Sequence, residues 1–132
     1  MEHFRITNSR KIHLKLMTIL LLCLGGVSHG AAPSSAVGKI DYVAGGYDDG
    51  SIAFSLDIPT NNPAGCNGTQ LYFIKNSGTS SAQDALAVAM FAKSLGLRVY
   101  VAIRGDECIH PEGTDIPDGA TFPVAQRIVV ID

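Results

Sequence analysis

The chain is expected to be mainly β with one helix, forming a small five-stranded barrel in the order β-β-β-α-β-β with one disulfide. Three observations carry this expectation. Two apolar segments flank an Asp-Gly turn at residues 49–50, an alanine-rich helical segment follows a third short apolar run, and two more strand-like segments close the chain. Cys66 and Cys108 stand on either side of the helical segment.

Residues 1–30 are set apart from the fold as a cleavable export signal. Arg5, Arg10, Lys11 and Lys15 form a basic leader and residues 17–24 an apolar run, and the small residues of Ser28-His29-Gly30 and Ala31-Ala32 suit signal peptidase. The apolar run is far shorter than the roughly 20 residues that span a bilayer, so no membrane association is expected after cleavage. Cys23 follows Leu20-Leu21-Leu22, where lipid attachment requires a small side chain, and it leaves with the leader. Residues 31–132 read as one domain, secreted or periplasmic.

The first strand is expected over residues 37–47, with Ile40, Tyr42 and Ala44 on one face and a bulge or bend tolerated at Gly45-Gly46. Asp49-Gly50 has the chemistry of a tight primed turn, which needs positive φ. Residues 51–58 alternate strictly, with Ile52, Phe54, Leu56 and Ile58 inward and Ala53, Ser55 and Asp57 outward. Two prolines, two glycines and three asparagines make 59–69 a loop. A short third strand is expected over 70–75.

Ser80 and Ser81, with Gln83 and Asp84 three residues later, give a capping-box start to a helix that runs to Leu95 and stops at Gly96. Leu97, Val99, Val101 and Ile103 then alternate with Arg98, Tyr100, Ala102 and Arg104 as the fourth strand. Residues 124–131 form the fifth.

This order is that of an OB-fold-like barrel, the oligonucleotide/oligosaccharide-binding form. The helix joins the end of strand three to the start of strand four, so the start of strand three and the end of strand four share the opposite pole. Cys66 and Cys108 occupy those two points and are expected to pair, which by chain entropy contributes roughly 4 kcal/mol. No Cys-x-x-Cys spacing suggests a redox or metal role.

Composition narrows the function classes. With the leader's four cations and one acid set aside, residues 31–132 keep six Lys and Arg against eleven Asp and Glu, a net charge of −5. A nucleic-acid footprint needs clustered cations, so no nucleic-acid partner is expected. His110 is the one histidine past the leader, and Cys108 beside it is committed to the disulfide, so no enzymatic activity is expected. Asp106, Glu107, His110, Glu112, Asp115 and Asp118 lack EF-hand or zinc spacing and read as a solvated acidic loop, with no metal and no cofactor.

The helical segment is unusually apolar. Ala85, Val88, Ala92 and Leu95 form the core stripe, while Leu86, Met90 and Phe91 carry it around the circumference, with Asp84 and Lys93 the only charges. A surface helix ordinarily shows a solvated face. Self-association into a homo-oligomer through Leu86, Met90 and Phe91 is therefore expected.

The helix ending in Gly96 and the following Leu97-Arg98-Val99-Tyr100-Val101 resemble the helix, glycine and strand-four segment of the subtilase cytotoxin B subunit and related small secreted proteins. The likeness covers residues 82–101, and the element order extends it loosely over 37–131. It implies a secreted barrel of the pentameric toxin B-subunit type, a helix lining a ring interface, and glycan binding by the ring. The cysteine placement departs from that pattern, and no sugar-contacting residue carries over.

The 105–123 connection is long, and long loops are often functional. With the disulfide pinning its start, Asn61, Asn62, Asn67, Asp106 and His110 are expected to converge at one pole, where amides and carboxylates suit sugar hydroxyls. Tyr72 or Tyr100 would stack on a sugar ring. Two functions remain open: a non-catalytic module binding a glycan or a surface protein, and a periplasmic structural or protein-interaction domain with no small ligand.

Overall fold

The computed structural model describes residues 34–77, 81–112 and 116–132; residues 1–30, expected to be an export leader, lie outside them. The elements follow the expected order: β1 (Ser34–Ala44), β2 (Ile52–Leu56), β3 (Tyr72–Ile74), α1 (Ala82–Leu95), β4 (Arg98–Ile109) and β5 (Phe122–Val130). The strands close in a ring, β1-β2-β3-β5-β4, with β4 returning to β1. A ring of five cannot alternate throughout. One pair must run parallel, and it is β3 with β5, joined at Phe73 and Val124.

The inward faces follow strand periodicity until something interrupts it. Ala36 and Ile40 of β1 are buried and Val37 and Lys39 exposed. Ile40 then pairs with Leu56 while Tyr42 pairs with Ser55, so Asp41 is an extra residue. A bulge of this kind reverses the alternation. Tyr42, expected beside Ile40, turns to solvent at 48% exposure, and Val43 packs on the core instead. The bulge stands ahead of Gly45-Gly46, where it was expected.

The β1–β2 connection is also longer than a two-residue hairpin. Gly50 N–H donates to Tyr47 O at 2.8 Å and Ser51 N–H to Asp49 Oδ1 at 2.9 Å. Gly50 has a φ of 72°, whereas Asp49 keeps a negative one, so a primed Asp-Gly turn does not form.

Two apolar clusters hold the ring. The inner one gathers Ile40, Ile52, Phe54, Leu56, Tyr72, Ile74, Val99, Val101 and Ile103 under Ala82, Ala89 and Ala92 of α1. The Phe54 and Tyr72 rings stack at 5.4 Å, and full burial of a large apolar side chain stabilises by about 1.5–3 kcal/mol. The second cluster lies on the other face of β2 and β3. Ala53, Phe73, Ile109, Phe122 and Val124 meet there, covered by Tyr47, Leu71, Ile116 and Ala120. Ala53, expected to face outward, is fully buried in it, while Ile58 lies past the end of β2 and is exposed.

Helix α1 begins and ends as its sequence dictates. Ser81 Oγ accepts from Asp84 N–H at 3.1 Å. Gly96 takes a φ of 66°, where a side chain would be strained, and Leu97 N–H returns to Ala92 O at 3.0 Å. Its buried stripe runs through Ala82, Ala89 and Ala92, with Ala85, Leu86 and Val88 packed beside them. Leu95, expected in that stripe, is 58% exposed. Leu86, expected at an interface, lies against Gly45: a Cβ there would stand 3.2 Å from Leu86 Cδ2. Met90 and Phe91 are exposed at 56% and 55%, as the helix's apolar excess predicts.

Cys66 and Cys108 are bonded, with Cα atoms 5.7 Å apart. Cys108 lies within β4, opposite Pro123, because β4 continues five residues past Arg104 to Ile109. The long connection expected over 105–123 is therefore largely strand at its start.

Candidate functional site

The pole around the disulfide does collect most of the expected residues, but it uses them on itself. Asn61 N–H donates to the Tyr72 hydroxyl at 2.6 Å, and Asn61 Nδ2 donates to Ser34 Oγ at 2.6 Å and Ser35 O at 3.0 Å. Asn62 brackets Cys66, giving Nδ2–H to its carbonyl at 2.6 Å and receiving its N–H on Oδ1 at 2.9 Å. Asn67 Nδ2 donates to Gly119 O at 2.9 Å, and its Oδ1 accepts Thr121 N–H at 2.6 Å. All three amides therefore bind backbone, as asparagines in turns commonly do.

Gly68 completes this clamp. Its N–H donates to Thr121 O at 2.7 Å, and a Cβ there would lie 2.4 Å from Phe122 Cε1, so only glycine permits the approach. His110 Nδ1 lies 2.7 Å from Ala120 O. Facing a carbonyl, Nδ1 is the donor in this contact. Asp106 is exposed on the same rim.

Neither tyrosine offers a ring to this pole. Tyr72 is wholly buried and offers no ring face to a ligand, which corrects its expected stacking role. Burial pushes its phenol above the ordinary value, with the Asn61 N–H pulling it partly back. Tyr100 sits in mid-sheet between Val37 of β1 and Val129 of β5, away from the pole.

A cleft that sequence reasoning missed lies beside the rim. From Ile103 to Cys108 of β4, β5 advances only from Ala125 to Pro123, so β4 bows outward. Arg104 and Glu107 project from the bow, and with Lys75, Ser77, Val124, Ala125 and Gln126 they line a cleft of about 210 Å³. Glu107 is held from both sides: Lys75 Nζ bonds its Oε1, and Arg104 Nη1 lies 3.3 Å from its Oε2. These groups are partly exposed, where such pairs stabilise by about 0–1 kcal/mol, so the triad contributes little to folding. It places two cations, one carboxylate and a nearby amide around one opening. Neither strand's own sequence signals it, because the offset belongs to the β4–β5 pair.

Among the described residues no group of three or more His, Cys, Asp and Glu is placed to hold a metal ion, and no helix is long and apolar enough to cross a membrane. Comparison with protein-family models, with curated proteins and with solved structures finds no match to this chain.

Proposed function

We propose that the chain is an exported, non-catalytic carbohydrate-binding module on an OB-type barrel, and that it holds its ligand in the Lys75–Arg104–Glu107 cleft. The strand order, the ring closure and the parallel β3–β5 pair support the OB reading. Barrels of that kind bind oligosaccharides on the face of strands two and three. Here Tyr47, Ile116 and Ala120 cover that face at Ala53 and Phe73, which leaves the bowed edge of β4 as the open polar surface.

One observation carries the proposal. The bow of β4 turns a carboxylate and a guanidinium into one cleft with the Lys75 ammonium, beside the Gln126 amide. That set both donates to and accepts from neighbouring hydroxyls, and its charged members form the stronger hydrogen bonds. The disulfide and the leader support an oxidising, exported setting.

A second reading, a protein-interaction domain, is favoured by the exposed Met90, Phe91 and Leu95 on α1, which equally suit a homo-oligomer. A glycan array probed with residues 31–132 and with Glu107→Gln separates the two. Carbohydrate signal lost in the variant supports the module; no signal with either protein leaves the interaction domain.

A further inference from the structure

We infer that the ligand is an acidic oligosaccharide, bound in extended form along the outer face of β4 from the cleft to Lys39. This rests on the cleft reading and specifies its substrate class. Six Lys and Arg occur among the described residues, and five of them lie on this one track; Lys93 of α1 is the sixth. That segregation occurs in a domain carrying nearly twice as many acids as bases.

Strand register lays out the track. Arg98, Tyr100, Ala102 and Arg104 occupy the outward positions of β4. Lys39 of β1 stands opposite Arg98, Val37 and Val129 flank Tyr100, and Arg127 of β5 stands opposite Ala102. Arg104 then enters the cleft, where Glu107 joins it to Lys75. From Arg98 to Arg104 the strand covers about 20 Å, the reach of a short oligosaccharide rather than of one sugar ring.

The pairing of Lys39 with Arg98 is not explained by folding. Like charges directly opposite each other destabilise a sheet. Asp132 offsets one of them, lying 3.1 Å from Arg98 Nη2, and Asp57 Oδ1 accepts the Lys39 backbone N–H at 2.7 Å. Among the described residues neither the Lys39 ammonium nor the Arg127 guanidinium forms an ion pair.

An anionic chain supplies the missing charge. Its carboxylates would receive charge-assisted hydrogen bonds from Lys39, Arg98 and Arg127, and a pyranose face would rest on the half-buried Tyr100 ring between its two valines. Single-stranded nucleic acid fits less well, because such grooves stack successive bases on several aromatic rings and this track holds one.

The test is calorimetric titration of residues 31–132 with galacturonic-acid dimer and hexamer, with neutral maltohexaose, and with oligo-dT. The acidic hexamer should bind at least tenfold more tightly than maltohexaose, weakening as salt rises. Lys39→Gln with Arg127→Gln, two exposed positions, should cost the hexamer at least tenfold more affinity than the dimer. Equal binding of acidic and neutral hexamers, or no selective loss in the double variant, overturns the track and leaves the cleft standing. Oligo-dT binding as tightly as the acidic hexamer assigns the face to nucleic acid instead. Absence of binding by every sugar overturns the cleft as well.

Discussion

Replacing both Cys66 and Cys108 by serine opens a loop whose ends are 42 residues apart in sequence. In the chain-entropy description the bond removes about 13 cal/mol/K from the unfolded ensemble for a loop of that length, or about 4 kcal/mol at 25 °C. Net stabilities of small domains are about 5–15 kcal/mol, so the double variant should keep only part of its margin. Urea titration followed by circular dichroism reads this directly. With a slope of about 2 kcal/mol/M, the midpoint should fall by about 2 M, and the slope itself should rise because the unlinked chain unfolds to a more expanded state. A loss below about 1 kcal/mol would refute the reasoning. It would mean that the unfolded chain retains enough residual structure to be confined in the absence of the covalent link.

Two further predictions concern the core. Ser51 is buried, and its Oγ finds no hydrogen-bond partner among the described residues, so Ser51→Ala should raise stability by about 1 kcal/mol, read as a higher thermal midpoint. Tyr72 has its phenol pushed above the ordinary value of about 10 by burial, so the native state binds that proton more tightly than the unfolded chain. Its contribution is complete below pH 10 and is lost as pH rises through the raised native value. Thermal midpoints should fall above pH 10. Tyr72→Phe should flatten that fall while costing about 1 kcal/mol at neutral pH through the lost bond to Asn61 N–H.

What was legible in the sequence was whatever depends on short-range chemistry. Ser81 and Gly96 mark the ends of α1 because caps act over one turn, and the alternation of Val99, Val101 and Ile103 marks β4 because each is buried on one face. The pairing of Cys66 with Cys108 followed from two cysteines left in a chain read as exported, and from the element order that places them at one pole. Other features depend on partners distant in sequence. The Asp41 bulge exists only against β2, so the parity of Tyr42 could not be read from β1 itself.

The helix stripe was displaced for a similar reason. Many of α1's residues are alanine and fit either side, so docking against the ring selected Ala82 and Ala89 over Leu95. The asparagines around Cys66 were correctly placed at one pole, yet amide chemistry that suits a sugar equally suits backbone, and backbone was nearer. The cleft arises from a mismatch between β4 and β5, a property of the pair that neither strand displays separately.

The most direct measurement is amide chemical-shift mapping of the isotopically labelled domain titrated with a sugar selected on the array. Shifts should concentrate at Lys75, Arg104, Glu107 and Gln126, with Ala53 and Phe73 unmoved beneath their own covering residues. Shifts centred on Tyr47, Ala53 and Phe73, with the bow of β4 silent, would contradict the cleft reading and return the ligand to the face of strands two and three.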